Sequence, residues 1–456
     1  NLMYLESIKF YYVSVSADES ALGLVVELTE PKLLELIESA YPNPVTVEEL
    51  ASQHNWEADA VGEKLTTLQE KGLVQALEHG AFTRAVQADT HVQVVRQMPT
   101  MARSKQPTIA VITAQYCEKM AVDAMLENKE TFVRYTTVGK FYLLFFFFAF
   151  HYLIIYFIIH LLTFIGESNV YTLGNIGAHR IVCTKLPSVG HTREAMTAAG
   201  NTTTRLLGTF QKVDYVFLVG VGGGIPHYTD YSKHVRLGDV VASYPNTPGS
   251  SIYIYCENAV SNSDGTYEFE TKNYTPKNPS LQTIASNLKA SSEGSNSPWQ
   301  KYLANALDSL KADNSETDFS QPPSDTDKLY MAIGQQDIIE VAHPTPLPGS
   351  DGPALRRESG CPVLHLSPVA SGRAIARDDR LRQMFSSKFG ALVFDSELDA
   401  VLDSVLGNCR DSFICLRGIA DYRGDGSRRS EWQPYAALTA ASIMKAIICA
   451  MEPPQD

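Results

Sequence analysis

The sequence predicts an α/β protein with a twisted, mostly parallel central sheet flanked by helices, preceded by a small α+β domain. Two observations carry this prediction. From Pro107 onward, apolar runs typical of buried strands alternate with helical patterns. Before that point, residues 32–85 follow a rhythm of three short helices and a hairpin. A chain of 456 residues, 44% of them hydrophobic, is long enough to bury a core in each unit.

The N-terminal unit, predicted to span residues 1–88, is defined by its helix boundaries and its apolar faces. Thr46 is placed to cap the second helix. In the third helix, Val61, Leu65 and Leu68 recur on one face. A glycine ends that helix and a short hairpin follows. The arrangement resembles a winged helix-turn-helix domain.

Winged helices often bind DNA, but the charge of this unit argues against that role. Residues 1–96 contain 15 acidic and 6 basic side chains, and the whole chain has a formal net charge of −13. A surface that holds a phosphate backbone needs clustered Lys and Arg. We therefore expect a packing or interaction module that binds a protein partner, and we expect neither DNA nor a membrane as a partner.

Residues 89–106 are predicted to be a polar linker, and residues 107–452 an α/β domain that one anomalous insert interrupts. Within the insert, residues 140–166, every residue from Phe141 to Ile165 is uncharged. That length exceeds the ~20 residues needed to cross a bilayer. A single crossing would, however, place strands of one sheet on opposite sides of the membrane. The stretch from Phe141 to Ile165 is also rich in Phe, Leu and Ile and lacks Val and Gly, which is unusual for a membrane helix. We hypothesise that the insert is a retained intron or a gene-model error.

Three segments place glycine or charged residues at the ends of predicted strands, where open α/β sheets bind ligands. They are "VGVGGGIP", "VFDSELDA" and "CLRGIADY". The candidate residues in them are Gly220, Gly222, Gly223, Asp395, Glu397, Arg417 and Asp421. Each segment alone is a weak signal, because glycines also make tight turns and an isolated Asp often caps a helix.

Taken in order, seven segments resemble the nucleoside phosphorylase and nucleosidase superfamily, and above all its methylthioadenosine/S-adenosylhomocysteine nucleosidase-like domains. The segments are "YTLGNIGAHRIVCTKLP", "VFLVGVGGGIP", "RLGDVVAS", "SPVASGRAI", "VFDSELDAV", "CLRGIADY" and "EWQPYAALTAA". The resemblance covers about residues 107–452. It implies the nucleoside phosphorylase-like α/β fold and association into homo-oligomers.

The resemblance also implies a role for individual residues. Glu118, in "TAQYCEKMAV", matches the carboxylate that activates the attacking water, and Asp421 matches the acid that protonates or hydrogen-bonds the purine N7. Glu397 matches the residue that holds the ribose hydroxyls. The matches that line the sugar site or the base site are Gly220, Gly222, Gly223, Val369, Ala370 and Ser371. We group Asp395 and Arg417 with these substrate-binding residues.

N-glycosidic cleavage passes through an oxocarbenium-like sugar and suits three separated carboxylates. One is an acid at the leaving purine, one is a general base or anion at the anomeric carbon, and one lies near the ribose. Leu218 stands where the phosphorylases of the superfamily carry a phosphate-binding Arg, so we favour hydrolysis of a purine nucleoside or adenosine derivative over phosphorolysis. Ala420 and Ser396 stand where the nucleosidases usually have Ser and Met. A non-catalytic nucleoside-binding module therefore remains an alternative.

The sequence predicts no cofactor and no metal site. Its seven cysteines are widely spread and form no C-x-x-C pair. Such cysteines are typical of reduced intracellular proteins, and we expect a cytoplasmic or nuclear location.

Overall fold

The structure is a computed structural model that describes residues 27–77, 80–85, 92–95, 97–102, 105–134, 168–187, 192–263, 266–292, 297–312, 317–333, 337–346, 361–395, 398–422 and 430–454. Two predicted features lie outside the described residues: the insert 140–166 and the candidate ribose-binding Glu397.

The N-terminal unit folds as three helices and a small antiparallel sheet. Its elements are α1 (Glu30–Ala40), β1 (Val45–Thr46), α2 (Val47–His54), α3 (Ala58–Glu70), β2 (Val74–Ala76) and β3 (Ala81–Arg84). The strands pair in the order β1-β3-β2. The Thr46 hydroxyl accepts a bond from the Glu49 N–H, as the predicted cap requires. Val61, Leu65 and Leu68 are buried in the core of this unit, so the predicted face of α3 is also confirmed.

The larger unit is built on a mixed sheet. The remaining strands are β4 (Val92–Val94), β5 (Ile109–Thr113), β6 (Glu127–Arg134), β7 (Asn169–Ile176), β8 (His179–Lys185), β9 (Tyr215–Gly224), β10 (Val240–Ser243), β11 (Tyr253–Ser261), β12 (Tyr267–Tyr274), β13 (Leu329–Ile333), β14 (Asp337–Val341), β15 (Leu364–Ser367), β16 (Val369–Ser371), β17 (Val393–Asp395) and β18 (Ser412–Tyr422). The order in the described part of the sheet is β12-β11-β16-β17-β9-β5-β8-β7-β6-β4, with β18 beside β9 and β10 between β18 and β15. β13 and β14 form a separate hairpin.

Parallel pairing predominates in this sheet, as predicted. Seven pairings are parallel and five are antiparallel among the described strands. The central run β8-β5-β9-β18 is parallel throughout, so its carboxyl ends meet at one edge. The predicted α/β class, with a central sheet and flanking helices, is confirmed.

Eight helices flank the described sheet. They are α4 (Tyr116–Asp123), α5 (Arg193–Thr209), α6 (Ser280–Ser291), α7 (Pro298–Ala312), α8 (Arg373–Arg377), α9 (Asp379–Phe389), α10 (Asp399–Gly407) and α11 (Gln433–Cys449). Most residues of α11 are buried, and the helix contacts β18, β9, α4 and α7. A Cβ on Gly418 of β18 would collide with the backbone oxygen of Ala436, so glycine permits this close approach. α11 is therefore an internal helix that supports the sheet.

The two strands that flank the insert are neighbours in the sheet. β6 and β7 pair antiparallel, and Arg134 lies opposite Asn169 at the ends nearest the insert. The described strands that precede and follow residues 140–166 are thus paired with each other in the same sheet. In the described part of the chain, no helix is long and apolar enough to span a membrane.

The segment predicted to be a linker contains a strand. β4, within residues 89–106, pairs in parallel with β6 and extends the sheet at its edge. The division of the chain at residues 88 and 107 remains a prediction.

Candidate functional site

The glycine-rich end of β9 lets the side chain of Glu118, from α4, and the strand β17 lie close to the β9 backbone. A Cβ on Gly220 would lie 2.6 Å from the Glu118 Cδ, and one on Gly222 would lie 2.8 Å from the Val393 Cγ2. No real Cβ makes contacts that short, so the backbone at both positions must remain bare. Gly220 and Gly222 are therefore needed where α4 and β17 meet β9.

Glu118 lies in the first turn of α4, and its carboxylate joins that turn to β9. Oε2 accepts bonds from the backbone N–H groups of Ala114, at 2.7 Å, and Gln115, at 2.8 Å. Oε1 accepts a bond from the N–H of Val221 at 2.8 Å. The side chain is buried, with 3% of its surface exposed. Glu118 is thus held at the glycine end of β9, and its role in activating water remains a prediction.

The environment of Glu118 favours its neutral form more than water does. Burial raises the pKa of Glu118 above its ordinary value, against the opposing effects of the Arg417 charge and of the three backbone bonds. A carboxylate with a raised pKa is a stronger base than a solvated one. It is therefore suited to taking a proton from water.

Arg417, on β18, and Asp395, at the end of β17, form a buried ion pair. The Nε–Oδ2 distance is 2.8 Å, and both side chains are almost fully buried. Arg417 lies opposite Gly220 and donates from Nη1 to the Leu218 oxygen at 3.4 Å.

The guanidinium retains capacity to bind a ligand. Among the residues that the structure describes, Nη2 of Arg417 has no hydrogen-bond partner. Burial alone would lower the pKa of Arg417, but Asp395 and Glu118 raise it and keep the group charged. A buried N–H donor without a partner is costly unless a water or ligand binds it.

Asp421 is placed by a bulge in β18. Ile419 lies opposite Gly222 and Asp421 lies opposite Gly223, so Ala420 is the extra residue of β18 at this point. Bulges re-aim the side chains that follow them and are frequent beside active sites. Asp421 is buried, with 7% of its surface exposed.

The candidate base-binding segment lies one strand beyond Asp395. Val369, Ala370 and Ser371 form β16, which pairs in parallel with β11 on one side and β17 on the other. All three are buried, and Ser371 lies opposite Asp395. Their role in binding a base remains a prediction.

Tyr253 of β11 belongs to the same part of the sheet, and the sequence reasoning missed it. Its hydroxyl forms a hydrogen bond with Ser371 and accepts one from the Leu398 N–H at 3.3 Å. Burial and the Asp395 charge raise its pKa well above the usual value. The alternating aromatic residues of "IYIYC" were the signal that could have identified it.

The structure brings most of the predicted residues to one region of the sheet. Glu118, Gly220, Arg417 and Asp395 form one contiguous cluster, which we call the Glu118 cluster. Ser371 adjoins this cluster through Asp395. In the described ranges, no group of three or more His, Cys, Asp or Glu side chains is arranged to share a metal ion.

Comparison with known proteins identifies the N-terminal unit. Residues 19–86 match a family model described as a winged helix-turn-helix domain. A nucleotide-binding leucine-rich repeat (NLR)-like protein of Hyaloscypha variabilis is 25% identical over 292 residues, or 63% of this chain. The match takes in 26% of that protein, so the chain spans about a quarter of its relative's length.

Solved structures similar to this chain include three bacterial enzymes. The 5′-methylthioadenosine/S-adenosylhomocysteine nucleosidase of Neisseria meningitidis, in complex with methylthio-immucillin-A, has a TM-score of 0.41 and 13% identity, over 76% of this chain and 100% of that one. Futalosine hydrolase of Helicobacter pylori has a TM-score of 0.38 and 13% identity, over 75% and 97% of the two chains. The S. pneumoniae nucleosidase has a TM-score of 0.40 and 13% identity, over 75% and 99%.

The family match and the three-helix fold with its small sheet agree on the N-terminal unit. In this chain, a segment similar to winged helix-turn-helix domains, residues 19–86, therefore precedes a larger α/β unit with a mixed central sheet.

Proposed function

We propose that the α/β domain hydrolyses the N-glycosidic bond of a purine nucleoside or adenosine derivative and releases the free base. The observation that carries this proposal is the Glu118 cluster: a buried carboxylate of raised pKa faces the glycine end of β9 beside a buried arginine. The resemblance of seven ordered segments to the nucleosidase superfamily supports the same reaction.

In the proposed reaction, Glu118 accepts a proton from a water molecule that attacks the anomeric carbon. The free N–H of Arg417 orients that water through a charge-assisted bond. Asp421 donates a proton or a hydrogen bond to N7 of the purine, which leaves as a neutral base. Glu397 binds the ribose hydroxyls, and Val369, Ala370 and Ser371 bind the base.

The charge of the cluster supports hydrolysis over phosphorolysis. The structure does place an arginine beside Leu218, but Arg417 comes from the neighbouring strand and is paired with Asp395. The Glu118 carboxylate also lies near the guanidinium. Two carboxylates around one guanidinium leave the cluster net negative when all are ionised, which disfavours a phosphate dianion.

A second candidate function is nucleoside binding without turnover. The Glu118 carboxylate accepts three backbone hydrogen bonds, an arrangement that serves α4 structurally even without chemistry. The NLR-like relative is far longer than this chain. In this second proposal, the α/β domain is a ligand-sensing module and the winged helix contacts a protein partner.

Turnover by the purified full chain on a panel of purine nucleosides, with and without phosphate, separates these functions. We expect free base to appear without phosphate. In Glu118→Gln the amide keeps the side chain's size, and we expect the rate to fall about 10²–10⁴-fold. Base release that requires phosphate would support phosphorolysis. Calorimetric binding that persists in Glu118→Gln, with no base released by either protein, would support the sensing module.

A further inference from the structure

The winged-helix unit is joined to the end of β8 by a buried lysine. Lys185, the last residue of β8, is 1% exposed. Its ammonium group donates to the backbone oxygens of Ser39 at 2.9 Å, Tyr41 at 2.7 Å and Leu186 at 2.9 Å. All three ammonium hydrogens are therefore directed at carbonyl groups, and two of those groups lie at the C-terminal end of α1.

The same unit packs against the first residue of α4. The ring of Tyr116 meets the edge of Tyr41, with centroids 5.5 Å apart, and the Arg84 guanidinium lies 5.3 Å from the Tyr116 centroid. Arg84 is fixed in turn by Glu38, at 2.9 Å, and by the Leu73 oxygen, at 2.6 Å. Aromatic and cation–π contacts of this kind stabilise the packing of one unit on the other.

The first turn of α4 thus lies between the winged helix and β9. Tyr116 faces Tyr41 and Arg84, while Glu118, two residues later, bonds to Val221. The lack of room for a Cβ at Gly220 shows that the Glu118 carboxylate lies directly against the β9 backbone. A shift of the α4 start would therefore move Glu118 away from its place.

We propose that Lys185 is a positioning residue for Glu118: by holding the end of α1 against β8, it seats the winged helix on Tyr116 and keeps Glu118 at the glycine end of β9. The kinetic consequence rests on the proposed function, in which Glu118 activates water. In this arrangement the winged helix supports the Glu118 cluster from outside it, through the first turn of α4. A partner that displaced the winged helix would also displace Glu118.

The electrostatics of Lys185 connect the two units as well. Burial lowers the pKa of Lys185 to about 7, while the charges of Glu118 and Glu38 act in the opposite direction. Glu118 lies on α4 and Glu38 lies on α1. A neutral amine has only two N–H donors, so its loss of a proton near neutrality removes one of the three carbonyl contacts.

Two independent variants test the positioning role in the full chain. Lys185→Met removes the three donors, and Tyr116→Leu removes the ring that contacts Tyr41 and Arg84. Tyr116→Phe keeps that ring and is the matched control for Tyr116→Leu. Lys71→Met is a control away from the Lys185 contacts, because it removes an exposed ion pair between Lys71 and Glu30, at the other end of α1.

The first readout is hydrogen exchange of the three amides that bind Glu118, those of Ala114, Gln115 and Val221, without any substrate. We expect Lys185→Met and Tyr116→Leu to exchange these amides at least about tenfold faster while the amides of β5 keep their protection. Tyr116→Phe and Lys71→Met should match the unaltered protein. Unchanged protection at the three amides, with faster exchange in α1 alone, overturns the proposal.

The second readout separates this inference from the proposed function. If the unaltered protein releases base, we expect Lys185→Met to lower kcat about tenfold or more with KM within about twofold. An unchanged kcat overturns positioning while hydrolysis stands. If no nucleoside is cleaved, the proposed function fails, and the exchange of the three amides still decides whether Lys185 positions Glu118.

Discussion

Gly220 and Glu118 show how one missing side chain makes room for another. The backbone of β9 at Gly220 lies against the Glu118 carboxylate, which takes the space that a Cβ would need. Three backbone N–H groups then fix the carboxylate in that space. The position of Glu118 therefore depends on glycine in the strand as much as on its own helix.

Replacing Gly220 with Ala should displace Glu118. Misplacement of a reacting group by about 1 Å can lower a rate about 10²-fold, so we expect base release to fall by about that factor. Gly208→Ala is the matched control, because no atom lies within 4 Å of a Cβ there. Steady-state rates of both variants check the expectation. Equal rates for Gly220→Ala and the unaltered chain would contradict it.

The raised pKa of Glu118 predicts the acid side of the pH profile. A general base must be ionised, so activity should fall as the pH drops through the pKa of Glu118. Because burial raises that pKa above 4.5, the midpoint of the acid limb should lie above pH 4.5. Measurements of kcat/KM from pH 4 to 8, with circular dichroism at each pH to exclude unfolding, give the midpoint. An acid limb centred below 4.5 would count against Glu118 as the base.

At the scale of residues, the sequence could identify the charged residues of the Glu118 cluster but not which of them contact one another. Glu118, Asp395 and Arg417 were each chosen from separate segments. Their contacts depend on the packing of α4, β17 and β18 against β9. Local sequence patterns do not predict such long-range contacts. Lys185 was missed because a lysine at the end of a strand ordinarily points to solvent, whereas here it is buried and two of its three carbonyl partners belong to the winged helix.

Among the elements, the pairing of β6 with β7 makes it possible to test whether the fold needs the insert between them. Arg134 and Asn169 are direct partners, so a short loop would close this antiparallel pair. Removing residues 140–166 leaves 135–139 and 167–168 to form that loop. The pairing supports the hypothesis that the insert is not needed by the sheet.

The chain without residues 140–166 should fold and should aggregate less than the full sequence, because the deletion removes a long run of apolar residues and apolar surface promotes association. Thermal unfolding and size-exclusion chromatography of the two purified chains make the comparison. A deletion of residues 130–166 is the control, since it also removes ladder partners from β6 and should prevent folding. If the shorter deletion were insoluble as well, the segment would belong to the fold.

The strands were largely predictable because buried strands have continuous apolar runs, such as "IAVIT" in β5 and "YVFLVG" in β9. β4 was not, because its three residues, Val-Gln-Val, lie in a polar context. The order of the strands in the sheet could not be predicted from the sequence either. β9 pairs with β5, β17 and β18, which come from three distant parts of the chain.

For the whole molecule, the buried Lys185 links the docking of the two units to pH. Its pKa in the folded chain, about 7, lies below the ordinary value of 10.5. Between those two values the unfolded chain binds more protons than the folded chain, so Lys185 makes stability rise with pH in that window. One proton of difference corresponds to at most about 1.4 kcal/mol per pH unit.

Urea unfolding at pH 7, 8 and 9 should therefore show a steeper rise in the free energy of unfolding for the unaltered chain than for Lys185→Met. Lys71→Met, in the exposed ion pair, should keep the slope of the unaltered chain. Parallel curves for Lys185→Met and the unaltered chain would show that Lys185 does not titrate in this range.

The acidic winged helix also predicts a negative result. With 15 acidic and 6 basic side chains in residues 1–96, the full chain should not show the salt-dependent duplex binding that phosphate contacts produce. Fluorescence anisotropy with a labelled duplex at about 50 mM and 200 mM salt tests this. Tight binding at low salt that weakens steeply at high salt would contradict this expectation and would support DNA as a partner.

The sequence could predict both units of the molecule and this charge, but not how the two units pack against each other.

The contact between α11 and α4 has a consequence for biosynthesis. The ribosome makes Glu118 about 300 residues before it makes the helix at residues 433–449 that supports α4. At about 5–20 residues per second, that interval lasts roughly 15–60 s. Until residue 417 is made, the nascent chain lacks Arg417, and until residue 449 is made it lacks the complete helix that packs against α4. A chain truncated before residue 417 therefore cannot complete the Glu118 cluster, and a chain truncated between residues 417 and 449 lacks part of the packing that supports α4.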